Sequence, residues 1–171
     1  PEAYAGGKLI QPVTTGYRLP TEAEWAWAAR FTPAADGRRR DLKYPWGANM
    51  PPTGQAGNYA DQSAMGLLEP VLSNYNDGYA AAAPVGRFDA NALGMHDLGG
   101  NVAEWVNDRY AGVQIITQSQ TDPLGNGGGS QHVIRGSSWR HSRITELRLS
   151  YRDASDSPRD DVGFRIARYA E

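Results

Sequence analysis

From Asn49 to Ala83 the chain runs for some thirty-five residues with no helical or strand periodicity, rich in Gly, Asn, Asp and Pro. Irregular connections longer than about 15 residues are uncommon in a compact domain unless something other than secondary structure organises them. The stretch itself proposes hard cations. Ca²⁺ collects six to eight oxygens from carboxylates, amide side chains and main-chain carbonyls on loops that glycine allows to turn. "GNYAD" offers Asn58, "SNYNDGY" offers Asp77, and "HDLGGNVAEW" supplies Asp97 and Glu104 around Gly99, Gly100 and Asn101. Each fragment taken alone also reads as an ordinary Asx turn.

The rest of the chain sets bounds. With 171 residues it is one domain, large enough to bury a core without staples. Twenty Gly and 11 Pro beside 5 Trp and 9 Tyr predict a loop-rich fold held by aromatic anchors. A net charge of -2 supplies no basic field for nucleic acid, and no apolar run approaches a membrane span. The absence of cysteine excludes disulfides, thiolate metal sites and thiol nucleophiles within this chain. "PEAYAGGKLIQP" carries neither an initiator Met nor a signal-like start, which points to a piece of a longer protein.

One helix is written clearly. In "RLPTEAEWAWAAR", Thr21 and Glu24 form a capping box, Pro20 and Trp25 are placed for a hydrophobic staple, and Trp25 and Ala29 share an inward face. "DGRRRDLK" reads as a solvated charged turn and "YPWG" as a turn with a buried Trp46. Short strands are expected at "APVGRF", "HVIRGSS", "ELRLSYR" and "VGFRIAR". Arg148, Arg152, Arg159 and Arg165, interleaved with Asp153, Asp156, Asp160 and Asp161, are expected to form internal ion pairs. Trp105 and Trp139 are expected to be core anchors.

Taken together, "GYRLPTEAEWAWAAR", "YPWG", "APVGRFDANALGMHDLGGNVAEWVND", "VIRGSSW" and "DDVGFRIAR" resemble, in order, the motifs of the formylglycine-generating enzyme (sulfatase-modifying factor) family. The resemblance implies an α+β, C-type-lectin-like fold with little regular secondary structure. It also implies that residues 1–171 form the C-terminal portion of a single domain whose N-terminal segment is missing. That missing segment is then one expected partner. The resemblance further implies two structural Ca²⁺ sites. The first would use Asn58 and Asp77 with the Tyr59 and Tyr79 carbonyls; the second, Asp97 and Glu104 with the Gly100 and Val102 carbonyls.

The family's two catalytic cysteines fall at His141 and Glu146, which cannot exchange disulfides and suit Cu(I) poorly. Cysteine-dependent formylglycine formation is therefore not expected, and neither is iron or copper. The expected role is a calcium-stabilised binding or scaffolding module for a peptide, protein or small molecule, in a periplasmic or secreted setting. Two alternatives stay open: a non-haem metal oxidoreductase using the pocket of Ser138, Trp139, His141 and Glu146, with His132 nearby, or a variable lectin-like protein of a diversity-generating retroelement.

Overall fold

The computed structural model describes residues 2–6, 8–12, 14–32, 42–112, 118–121, 123, 125 and 128–169. Strands β1 (Tyr4–Ala5) and β2 (Lys8–Leu9) form a small hairpin, followed by helix α1 (Glu22–Arg30). The main sheet contains β3 (Ala103–Arg109), β4 (His132–Arg135), β5 (Arg152–Ser155) and β6 (Val162–Phe164). Its order is β5-β4-β3-β6, antiparallel except for the β3–β6 pair, where Ala103 lies opposite Val162 and Trp105 opposite Phe164. This is an α+β architecture with little regular structure, as the family resemblance implies. Among the described residues no helix is long and apolar enough to cross a membrane.

Helix α1 begins where the capping box predicts. Thr21 Oγ1 accepts the Glu24 amide at 3.1 Å, and Glu24 Oε2 accepts the Thr21 amide at 2.8 Å. Arg18 grips the same Glu24 carboxylate through both terminal nitrogens, each at 2.6 Å. Further support comes from the sheet: Asp108 on β3 accepts the Glu22 amide, and Arg152 on β5 pairs with the Glu22 side chain at 2.8 and 2.9 Å. Trp25 and Ala29 face inward as expected and pack with Leu98, Val106, Val133 and Leu149.

A second cluster is almost wholly aromatic: Tyr44, Tyr59 and Tyr75 with Leu147, and a half-buried Trp46 stacked on Tyr44 at 4.9 Å. This cluster anchors the irregular middle of the chain. Carboxylates acting on main-chain amides do the rest. Asp77 Oδ2 and Oδ1 accept the Tyr59 and Tyr79 amides, each at 2.8 Å. Asp61 in turn accepts the amides of Ser63 and Asp77. Carboxylate-to-amide bonds of this kind, roughly twice as strong as neutral ones, replace the missing ladders.

Two expected strands are not strands. "APVGRF" is a turn in which the Gly86 amide bonds Asp97 Oδ2. In "ELRLSYR" the chain runs through turns, closed by Glu146 and Leu147 amides on the Arg143 carbonyl, and β5 starts only at Arg152. The alternation that mimics a strand there has another cause: Leu147 feeds the aromatic cluster and Leu149 the helix cluster. Conversely, β3 escapes sequence inspection because its core face carries Glu104, Val106 and Asp108, two of them charged. The triple Arg of "DGRRRDLK" lies outside the described residues.

The Glu104 carboxylate joins the helix to both ends of this arrangement. It is 5% exposed and accepts Trp25 Nε1 at 2.7 Å and Arg165 Nε and Nη2 at 2.6 and 2.5 Å. Removing one partner of a buried pair typically costs about 3–5 kcal/mol, against about 1 kcal/mol for a lost N-cap. Urea unfolding in chelator is therefore expected to rank Glu104→Ala well below Thr21→Ala in stability. Equal losses would show that the carboxylate carries no such tie.

Candidate functional site

The two loops proposed for cations are joined to one another. Gly100 takes φ +90, and a Cβ there would lie 2.8 Å from the Asn58 carbonyl oxygen, so only glycine permits this approach. The next residue, Asn101, sits at φ 63; its amide bonds the Asn58 carbonyl at 2.8 Å and its Oδ1 accepts the Ala83 amide at 2.9 Å. Asn58 is fully buried, with its Nδ2 directed at the Ala81 carbonyl, 2.7 Å away. Among the described residues its buried Oδ1 finds no hydrogen-bond partner, and neither does the buried Oδ1 of Asp97. Each loop thus keeps one buried, unpaired side-chain oxygen. Asp61 was not singled out in the sequence, and Asn101 entered only as part of the loop between Asp97 and Glu104, without this bonding role.

The remaining residues of the two sets differ. Asp77 faces Asp61, and burial, with that neighbouring carboxylate, pushes the Asp77 carboxyl up to about 6. Glu104, by contrast, already meets the Arg165 guanidinium and the Trp25 indole. Among the described residues, His, Asp and Glu side chains alone form no group of three that could hold a metal. Any cation here would depend on main-chain oxygens, as the proposed sets do.

At the position of the family's catalytic pair, the side chains hold one another. His141 Nδ1 accepts the Ser138 amide at 2.9 Å, so that nitrogen carries no proton. Ser138 Oγ, fully buried, donates to Asp161 Oδ2 at 2.8 Å, and Asp161 takes two further bonds from Arg159 at 3.0 Å each. These three residue types are those of a hydrolytic triad, but the carboxylate grips the serine rather than the histidine. A hydroxyl with no exposed surface, donating its proton to a hydrogen bond with ionised Asp161, is not activated as a nucleophile. Burial alone would raise the Asp161 carboxyl; the Arg159 guanidinium and Ser138 hydroxyl outweigh it and hold it below the usual range. Glu146 accepts the Arg143 amide at 3.2 Å and closes its own turn. Trp139 is buried at 7% exposure, as expected of a core anchor, whereas Trp105 is only half-buried.

Nor do the histidines converge. His96 bonds the Phe88 carbonyl, His132 lies edge-on to Trp105, and His141 lies edge-on to Tyr151. Two histidines and a carboxylate on one cavity wall, which a facial iron triad needs, are not assembled by these three. The expected ion pairs form for Arg152, Arg159 and Arg165, though Arg152 and Arg165 choose Glu22 and Glu104 rather than the neighbouring aspartates. Among the described residues Arg148 makes no ion pair.

Burial lowers the His141 pKa from 6.5. Its neutral form therefore contributes stability that is complete above 6.5 and lost as the pH falls through the lower folded value. His141→Gln keeps an acceptor for the Ser138 amide but cannot titrate. Between about pH 7 and about pH 5, the wild type is expected to lose stability relative to this variant in urea titrations. Parallel pH profiles would contradict the assignment.

Comparison with known proteins places this geometry. The family model described as "Sulfatase-modifying factor enzyme 1-like domain" matches residues 2–170. The formylglycine-generating enzyme of Streptomyces coelicolor is 34% identical over 160 residues, covering 91% of this chain and 48% of that protein. The inactive C-alpha-formylglycine-generating enzyme 2 of Bos taurus is 31% identical, covering 89% of this chain and 44% of that protein. Among solved structures, Treponema denticola variable protein 1 superposes with a TM-score of 0.71 at 27% identity, over 93% of this chain and 49% of that one. The chain spans about half the length of the curated relatives it matches. With the ordered motifs, the fold and a family match over nearly its whole length, the chain belongs to the sulfatase-modifying factor enzyme 1-like domain family, as a member that contains no cysteine.

Proposed function

We propose that this chain is a calcium-stabilised binding module on the formylglycine-generating-enzyme scaffold, without that family's thiol chemistry. One observation carries the reading: each of two linked loops holds a buried oxygen, Asn58 Oδ1 and Asp97 Oδ1, that no described residue satisfies. Such an oxygen costs about 1–3 kcal/mol when left unpaired, and a hard cation is its natural partner. Asn58 and Asp77, with the Tyr59 and Tyr79 carbonyls, would hold one ion. Asp97, Glu104 and the Gly100 and Val102 carbonyls would hold the other. The first set fits better, because a divalent charge there relieves the repulsion between Asp61 and Asp77, whereas Glu104 already serves Arg165. When bound, calcium supplies cross-linking and charge neutralisation.

A binding rather than catalytic role is supported by the self-satisfied Ser138–His141–Asp161 network and by the lack of any thiol. Sites of this loop-borne type suit the abundant calcium outside the cytoplasm, which is the setting we favour. The exposed Phe164 and Ile166 at the β6 edge are the surface we assign to further polypeptide of the same domain. A second reading, a lectin-like protein with variable surface residues, draws on the fold shared with the Treponema variable protein. A reverse transcriptase and a template repeat beside the gene would favour it.

Thermal unfolding tests the calcium reading. At a Ca²⁺ concentration a hundredfold above Kd, linkage adds about 2.7 kcal/mol, which for a domain of this size raises Tm by about 5–10 °C over chelator. Asp77→Asn is expected to remove most of that increment. Identical melts in chelator and calcium, with no heat in a calorimetric titration, would refute it.

A further inference from the structure

Helix α1 covers one side of the sheet, through Glu104, Val106 and Asp108. The alternate residues of β3 point the other way. There Trp105 stands over the end of β4, edge-on to His132 with ring centroids 6.3 Å apart. The turn that follows β5 closes the opposite side, so that Leu19, Trp105, His132, Ser155, Asp156 and Pro158 line a groove of about 270 Å³. None of the groups described above for the calcium loops or the Ser138 network lines it.

The chemistry of the walls is one-sided. Trp105, Leu19 and Pro158 are apolar, and among the described residues the lining contains a single carboxylate, exposed Asp156, with no lysine or arginine. Asp156 makes no ion pair among the described residues; its Oδ1 accepts only the Ser157 hydroxyl, at 2.9 Å. The nearby Arg109 guanidinium is directed to the Ser130 carbonyl at 2.8 Å. Burial and the Arg109 charge lower the His132 pKa, which disfavours a positive charge on the imidazole. A half-buried indole lining the groove beside an unpaired carboxylate is complementary to a cation on an apolar stem. At this volume, below that of drug-sized pockets, the groove holds a single side chain.

We propose that the groove between Trp105 and the 155–158 turn is a binding site for a lysine or arginine side chain presented by a peptide. The stem lies along Trp105 and Leu19, and the charged head meets Asp156. The proposal deepens the binding-module reading and rests on it for its role, but not on calcium for its geometry.

The test is a titration of the ¹⁵N-labelled chain, followed by amide and indole shifts, with Nα-acetyl-lysine methylamide and its arginine counterpart. Nα-acetyl-norleucine methylamide serves as the uncharged control. Shifts are expected at the Trp105 indole and at the Ser155, Asp156 and Ser157 amides, for the cationic probes only. Asp156→Asn, an exposed change that leaves the fold intact, is expected to weaken them about fivefold, the factor that corresponds to about 1 kcal/mol. Equal binding of the norleucine probe, unchanged affinity in Asp156→Asn, or no shifts in this groove would each overturn the proposal. Calcium-dependent melting measured on the same sample separates the two readings. If melting responds to calcium while the groove stays silent, only the groove is lost.

Discussion

A single carboxylate holds three parts of this molecule in register. Glu104 leaves β3 toward the helix, receives the Trp25 indole proton, and is clamped by both arms of the Arg165 guanidinium from beyond β6. Arg165 also reaches the His96 carbonyl, so the loop entering β3 is tied to the same point. A charge buried to this depth is tolerable only when both carboxylate oxygens are bonded and the charge is paired, and the fork of an arginine does this better than a lysine could. The helix, the central strand and the chain's end are therefore fixed relative to one another by hydrogen bonds with direction, not only by apolar packing.

The same strategy recurs through the loops. Where most domains satisfy main-chain amides with ladders and helical turns, this chain uses Asp61, Asp77, Asp97, Asp108 and Glu24. These groups hold the main chain where ladders are missing, and they also concentrate negative charge in the structure. Arg159, Arg152 and Arg18 answer that charge around the sheet and the helix. Around Asp61 and Asp77 no arginine answers it among the described residues, and there Asn58 keeps its unpaired oxygen. The sites we propose for calcium follow from that local imbalance. The sulfur-free pocket stands apart from it, since Ser138, His141, Asp161 and Arg159 satisfy one another.

Legibility from sequence followed the range of the interactions. The capping box of α1 was readable because Thr21 and Glu24 act within one turn. The fold was readable through ordered motifs, whose glycines and acids mark loop geometry. What escaped was decided by partners distant in the chain. Strand β3 hid because Glu104 and Asp108 are core residues only by virtue of Arg165, Trp25 and the helix N-terminus. The "ELRLSYR" alternation misled because its leucines serve two clusters on separate sides. The role of Asp161 in fixing Ser138 could not be read from a run of aspartates, which differ only in what they meet.

The order of strands in the sheet has a consequence for how such a chain reaches its native state. The central strand is flanked on one side by β4 and on the other by β6, whose residues follow it by roughly sixty positions. Closing so long a loop is entropically expensive and slow, and the parallel pairing cannot form until β6 has been brought back to β3. Until β6 docks, therefore, β3 keeps one edge open and Glu104 lacks its guanidinium. The central strand thus completes its pairing only when a segment distant in sequence returns to it, so the sheet closes late and as a unit.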